Sequence, residues 1–341
     1  MKNIIFLSSA DKKPFGGNKI IYQFSNYINS QRQFTSQVVH IKKNKISKTL
    51  SSIKKKLRIE SNNFTGWSIK DIEVAKNFHD KWFHIDISKK DDLNFKKEDF
   101  VVIPEIFAHL AKDLLINRGV KFGIFVQNGY SIFSTNNHKV LEEVYTKSKM
   151  ILSYSKDIDD CISMAFPECK NKIVKVQVAI KSNKLQGGVK KNVITLMPRK
   201  LGWHAEQVQL FLNKHLSKKW KIIVINNLNE NKTFNILKSS KIFLSFSSNE
   251  GLGLPPIEAA IAGNKIIGYT GESGKQWWKK PIFTEIYSGD IKSYCREILK
   301  FTKKNINPKI FKKQRKKLIT EFSEKNQNYS ILKMLKKIKG L

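Results

Sequence analysis

Apolar residues fall along this chain in short, nearly unbroken runs rich in Ile, Val and Phe, such as NIIFL, SQVVHI, FVVIPEIF, VKFGIFVQN and KMILSYS. Between them lie stretches with apolar residues at helical spacing, among them NKIIYQFSNYINS, AHLAKDLLINRG, KVLEEVYTKS and DIDDCISMAF. The run KIVKVQVAI closes this series. After the polar, glycine-containing KSNKLQGGVKKN the alternation restarts with VITLM, HAEQVQLFLNKHL, WKIIVIN, TFNILKSS, KIFLSFS, PPIEAAIAG and KIIGYTG. Unbroken apolar strands alternating with helices predict parallel sheets covered on both faces. Two such series predict two doubly wound α/β domains. The break near 181–192 sets the first domain at 1–185 and the second at 186–320. Residues 321–341 remain as a C-terminal helix able to pack back on the first domain.

Length and composition agree with two domains of ordinary size in 341 residues. No stretch approaches the roughly 20 apolar residues of a membrane span. The opening NIIFL is too short for the core of a secretion signal and suits a first buried strand. Cys161, Cys169 and Cys295 have no CxxC spacing, so neither a disulfide framework nor a zinc site is indicated. These features predict a cytoplasmic protein. Charge changes the picture more. Lys and Arg number 63 against 28 Asp and Glu, a net +35. Residues 42–58 hold eight of the basic residues and no acid, and residues 301–341 hold thirteen against Glu321 and Glu324. Such clustering implies an anionic partner: a membrane surface, a nucleic acid or a phosphorylated substrate.

In open parallel sheets ligands bind beyond the carboxyl ends of strands, so chemistry is sought in the loops there. After the first strand, SADKKPFGGNKII opens a helix at Gly16 and Gly17, where backbone amides at a helix start favour an anion such as phosphate. This is neither GxGxxG nor a P-loop. The stretch NEGLGLPPIEAAIAG repeats the arrangement in the second half. Glu250 stands at the exit of the KIFLSFSS strand, Gly251 and Gly253 leave room for a ligand, and Pro255 and Pro256 suit the first turn of the next helix. Glu258 is expected in that turn, near the helix N-terminus. From spacing alone Glu258 either stabilises the helix start or joins Glu250 as an acceptor for ribose or sugar hydroxyls.

The E-x7-E spacing within EGLGLPPIEAAIAGNKIIGY resembles the signature of retaining GT-B glycosyltransferases, especially glycosyltransferase family 4. GGNKIIYQFSNYINSQRQFTSQVVHI resembles that family's amino-terminal glycine loop and first helix, and VITLMPRK the strand opening its second domain. The resemblance implies a GT-B fold, with two Rossmann-like domains facing across a cleft that takes a nucleotide-sugar. It also implies hexosyl transfer with retention of anomeric configuration, with no cofactor and no metal. By position, Glu250 would contact the donor sugar near the reacting carbon and Glu258 would hold the ribose. Arg199 and Lys200 would neutralise the departing diphosphate. Gly16 and Gly17, with Gly251, Gly253 and Leu254, would complete the donor site. The family usually separates its Arg and Lys by several residues, whereas here they are adjacent. Where many members have a histidine, after GIFVQNGY's strand, this chain has Gln127 and Asn128. Asn128, Glu105 and His109 are the acceptor-side candidates, although a surface or packed position is the favoured reading of His109.

Two other enzyme readings stand beside this one. The DxD of SKDIDDCISMAF offers Asp157 and Asp159 to a metal, although Ser155 and Asp157 also suit helix capping. A GT-B-fold sugar-nucleotide epimerase would use the same donor residues without an acceptor. A nucleic-acid-binding module would account for the charge, but the basic runs lack interleaved aromatics and no zinc finger or RNA-binding motif appears; no nucleic acid is expected. The partners expected are a nucleotide-sugar and a glycan or lipid-linked acceptor of polysaccharide biosynthesis. An anionic membrane surface is expected to be met peripherally through residues 42–58, where Ile46, Leu50, Ile53 and Leu57 form one helical stripe. The tail SILKMLKKIKGL, with Ile331, Leu335 and Ile338, is a looser second stripe.

Overall fold

The computed structural model describes residues 2–10, 15–46, 67–198, 200–304 and 308–341. They divide into two units, 1–177 with 328–341, and 178–327. In the first, β1 (Lys2–Ser9) runs KNIIFLSS and buries its last six residues without alternation, as a strand covered on both faces must. It pairs in parallel with β2 (Phe34–Lys43) on one side and β4 (Phe100–Pro104) on the other. β5 (Lys121–Phe125), β6 (Met150–Ser153) and β7 (Ile173–Lys175) continue in parallel, and short β3 (Ile72–Val74) closes the other edge antiparallel to β2. The order is β3-β2-β1-β4-β5-β6-β7. The Gly16–Asn29, His138–Lys147 and Lys156–Ala165 helices lie in the crossovers. Ile5, Leu7, Val101, Ile103, Ile124 and Ile151 form a core with Phe107, Tyr145 and Ile158. Each such side chain removed from water contributes about 1.5–3 kcal/mol.

The second unit is a wholly parallel sheet of β8 (Lys191–Leu196), β9 (Lys221–Val224), β10 (Ser240–Glu250), β11 (Lys265–Glu272) and β12 (Phe283–Glu285). Its order is β12-β11-β10-β8-β9. Three helices, Gly202–Asn213, Glu230–Ser239 and Leu254–Ile261, connect the strands, and a fourth, Ile291–Lys303, follows the last of them. Tyr294 ties the last of these to the sheet. Its hydroxyl lies 3.0 Å from the Ser245 carbonyl oxygen and 2.9 Å from that of Ile267. Its ring stacks on Phe246 at 4.9 Å.

The boundary falls after Gln177 rather than after residue 185. The short Ser182–Leu185 helix packs on the Glu230–Ser239 and Leu254–Ile261 helices, Leu185 is fully buried, and the Ile180 N–H donates to the Phe322 carbonyl within the second unit. The tail departs from its alternative reading as a surface stripe. Ile331, Met334, Leu335 and Ile338 are buried, Lys2 Nζ donates to the Ile338 carbonyl at 2.7 Å, and the Gln177 N–H donates to Ser330 Oγ. Its apolar face is therefore spent on its own unit and is not available to lipid. Of residues 42–58, 47–58 lie outside the described residues, including most of the proposed stripe; Lys42 pairs with Glu73 at 3.2 Å. Among the described residues no helix is long and apolar enough to cross a membrane.

Candidate functional site

The exits of β10 and β11 concentrate unusual backbone. Asn249, Gly253, Gly271 and Glu272 all have positive φ, at 48°, 73°, 68° and 69°. At Gly253, the residue before the Leu254–Ile261 helix, the left-handed conformation is what requires glycine. Gly271 is required additionally by proximity: a Cβ there would lie 3.1 Å from Cβ and Cγ of Glu250. Glu272, with φ 69° and ψ −68°, has no such licence and costs on the order of 1–3 kcal/mol. Backbone strain of this kind persists where the surroundings over-determine it, and here it surrounds Glu250.

Glu250 is half-buried and fixed from two directions. The Ser273 hydroxyl donates to its carbonyl at 2.6 Å, and its Oε1 lies 3.2 Å from Lys200 Nζ. The same ammonium donates to the carbonyls of Ser248 and Asn249 at 2.7 and 2.8 Å. Lys200 therefore stitches the loop after β8 to the end of β10, and it presents a cation beside the Glu250 carboxylate. Arg199 lies outside the described residues.

Gly251 and Gly253 are buried, and Leu254 begins the helix with Pro255 and Pro256 in its first turn, where a missing N–H costs nothing. Glu258 is not in that turn. With Gly253 as the cap, the helix begins at Leu254 and Glu258 stands one position beyond the first turn. It is 8% exposed, so its carboxyl is held in the protein rather than spread at a solvated helix start. The simple reading of Glu258 as a charge on the helix end loses force accordingly.

Other residues at the carboxyl ends of these strands carry no sequence signature that spacing could find. His204 Nδ1 lies 3.0 Å from the Tyr269 hydroxyl, which also accepts from the Gly289 N–H at 3.3 Å. Burial lowers the His204 pKa below its ordinary value. Ser273 and Glu272 join Glu250 only through the pairing of β10 with β11, in which Glu250 stands opposite Glu272. The glycines of YTGESG are the signal that could have found them.

In the first unit the carboxyl ends of β1, β4 and β5 converge. Asn18 accepts from the Ser8 hydroxyl at 2.8 Å and donates to the Ser9 carbonyl at 2.8 Å, fixing the start of the Gly16–Asn29 helix on the end of β1. Gly17 is met by Gln127: its carbonyl accepts from Gln127 Nε2 at 3.1 Å, and a Cβ on it would lie 2.1 Å from Gln127 Oε1. Gly17→Ala is expected to cost about 1 kcal/mol by displacing that amide. Urea denaturation should show most of this cost vanish in a Gln127→Ala background.

Gln127 and Asn128 are in turn positioned by Glu105. Its Oε2 accepts from the Gln127 N–H at 2.9 Å and its Oε1 from the Asn128 N–H at 3.1 Å. Burial pushes this carboxyl up to about 8, against the two N–H donors, which favour its charged form. Asn128 Oδ1 caps the following turn by accepting from the Tyr130 N–H at 3.0 Å. His109 is the packed alternative: it is buried, with Nε2 2.7 Å from the Trp67 carbonyl oxygen, and burial lowers its pKa. Structure thus brings Glu105, Gln127, Asn128 and Gly17 together and leaves His109 inside the fold.

Asp157 and Asp159 are already engaged. The Tyr130 hydroxyl donates to Asp157 at 3.0 Å. Asp159 pairs with Lys175 at 2.7 Å and accepts from the Ser153 hydroxyl. Ser155 is the helix cap, accepting from the Ile158 N–H at 3.2 Å, whereas Asp157 takes a tyrosine instead of a backbone amide.

No protein-family model matches the chain, and no curated protein matches it in sequence. Its structure is similar to solved ones over its whole length. HepE from Anabaena in complex with UDP superposes with a TM-score of 0.69 at 10% identity, over 98% of this chain and 100% of that one. Sucrose-phosphate synthase from Thermosynechococcus elongatus gives 0.68 at 8% identity, over 100% of both chains. TarM of S. aureus, in complex with fondaparinux, alpha-GlcNAc-glycerol and UDP, gives 0.66 at 11% identity, over 99% of this chain and 100% of that one. The fold is GT-B, built from two Rossmann-like α/β units.

Proposed function

We propose that the chain is a retaining glycosyltransferase that moves a hexosyl group from a nucleotide-sugar to a glycan or lipid-linked acceptor. The observation that carries this reading is the fixed turn after β10, with half-buried Glu250 beside Lys200 and buried Glu258 on the helix that follows. In the reaction the bond between the anomeric carbon and the diphosphate oxygen breaks. A bond from an acceptor hydroxyl oxygen forms in its place. The acceptor proton and the nucleoside diphosphate leave together. Charge develops on the departing diphosphate, and preorganised cations and amides are what lower the barrier there.

We assign Glu250 to the donor sugar's hydroxyls, Glu258 to the ribose, and Arg199 and Lys200 to the diphosphate. Gly251, Gly253 and Leu254 give the backbone room to approach it. In the first unit we assign Gly16 and Gly17 to a donor phosphate and Asn128 to the acceptor side. Glu105 acts by holding the Gln127–Asn128 loop. The reading includes chemistry without a metal, polysaccharide biosynthesis as the setting, and an anionic membrane surface met through residues 42–58. UDP is the first nucleotide to try, since HepE and TarM were solved with it.

A thermal-shift and calorimetric panel of UDP, GDP, ADP, CMP and dTDP sugars tests the proposal. One nucleotide is expected to stabilise the protein, and Glu258→Ala to weaken it by about tenfold to a hundredfold, the loss of one hydrogen-bonded charged acceptor. Activity with that donor should survive EDTA. Absence of any nucleotide response, or full affinity in Glu258→Ala, would overturn the assignment.

A further inference from the structure

One cavity of the second unit lies not at the loops just described but at the opposite end of its sheet. It encloses about 770 Å³ and is lined by residues that precede or begin strands: Lys190 and Asn192 at β8, Lys219 and Trp220 before β9, Lys241 at the start of β10, and Gly263 before β11. Lys241 and Glu250 belong to the same strand, so at roughly 3.3 Å per residue the cavity stands about 30 Å from the Glu250 turn.

Its wall is cationic. Eight Lys and Arg side chains line it and no Asp or Glu does. Two of them converge. Lys190 Nζ and Arg315 Nη1 lie 3.8 and 3.9 Å from the point where a Gly263 Cβ would stand. Both are half-buried, and each is anchored by one backbone carbonyl: Lys190 Nζ by Leu237 at 3.1 Å, and Arg315 Nε by Ile261 at 2.5 Å. Among the described residues neither has a carboxylate partner, and Lys241 answers only to the Asn192 amide at 2.7 Å and the Trp220 ring. Buried charges are ordinarily paired. A like-charged pair on rigid carbonyl anchors, in a cavity free of acids, is an arrangement that an anion completes.

We propose that this cavity binds a small molecule carrying a phosphate group, with the dianion between Lys190 and Arg315 and the rest of the ligand against Trp220 and Phe301. The volume falls within the range of small-molecule sites, and a guanidinium beside an ammonium is a recurrent way to hold phosphate oxygens. Burial and the Arg315 charge hold the Lys190 pKa down to about 7. The groups facing Lys190 are Arg315 and the neutral Leu237 carbonyl, with Lys309 and Lys312 elsewhere on the wall. An anion therefore favours the protonated lysine. Affinity should fall as pH rises above that value, by up to about tenfold per pH unit.

The test is calorimetry on the full chain with pyrophosphate, and with sulfate for the pH series because its charge is constant there. A parallel arm uses phosphatidic-acid vesicles, with and without competing pyrophosphate. Saturable pyrophosphate binding is expected, weakened at least tenfold in Lys190→Gln/Arg315→Gln. It should be retained in Lys139→Gln/Lys325→Gln, which removes the same charge away from the cavity lining. Vesicle binding displaced by pyrophosphate would identify a lipid headgroup as the source of the phosphate; soluble binding with no vesicle binding would identify a free metabolite. The proposal is overturned by no saturable binding of either probe, by equal loss in the charge-matched control, or by loss in Lys200→Gln with the double variant intact. The sulfate pH slope, absent in Lys190→Gln alone, separates a ligand contact from a merely structural lysine.

Discussion

Glu250→Ala should lower the turnover of sugar transfer by about two to three orders of magnitude while changing donor affinity little, because its carboxylate is assigned to charge and hydroxyls at the reacting carbon. The substitution isolates that carboxylate well. The backbone of residue 250 is held by the Ser273 hydroxyl at 2.6 Å, and the preceding carbonyls of Ser248 and Asn249 by Lys200. None of these bonds uses the Glu250 side chain, so the loop keeps its course when the side chain is shortened. What is lost is the carboxylate and its 3.2 Å partnership with Lys200, which is half-exposed and adds little to stability. Initial rates with a matched nucleotide-sugar, together with donor titration, decide the matter. Turnover at the wild-type level would remove Glu250 from the chemistry, whereas equal losses of affinity and rate would make it a binding residue only.

The second large effect is on stability. Glu105→Ala is expected to cost about 3 kcal/mol, since it strands the buried N–H groups of Gln127 and Asn128, each at about 1–3 kcal/mol. Glu105→Gln keeps the volume but turns an amide NH2 toward one of those donors, so it should lie between wild type and Ala. The pH dependence carries its own signature. The folded carboxyl titrates near 8 and the unfolded one near 4.5, so the folded state binds the extra proton between those values. This contribution is complete below 4.5, is lost as pH rises toward 8 and is flat above it. Urea midpoints across that window should fall with a slope that Glu105→Gln lacks. An identical slope in both would assign the titration to another group.

The strand and helix alternation was legible because parallel strands covered on both faces are apolar throughout, as β1 and β4 are. Helix positions carried the complementary period. The Glu250–Glu258 spacing was legible for a different reason: glycines and prolines leave few conformations to a turn. Sequence reading failed where contacts join distant segments. Gln127 and Gly17 meet across two crossovers, and Lys190 and Arg315 meet from opposite ends of the second unit, with nothing local to mark either pairing. Val178, Ala179, Ile180 and Leu185 are as apolar as a strand of the first unit yet belong to the second, so their composition does not mark the division after Gln177. Glu258 stands one position beyond the first turn in which it is expected, because the helix already begins at Leu254, after a left-handed glycine cap that has no side-chain signature.

The first unit is made from both ends of the chain, since 328–341 belong with 1–177. During synthesis, which runs at about 5–20 residues per second, that unit waits for residues 328–341. Ile331, Met334, Leu335 and Ile338 are buried in a unit whose other members were made first, and the Lys2 ammonium has no Ile338 carbonyl to meet until residue 338 emerges. The second unit, continuous from 178 to 327, has all its parts earlier. The unit begun first is thus completed after the second, and a ribosome that stops before residue 328 releases the whole of the second unit with a first one that lacks this helix.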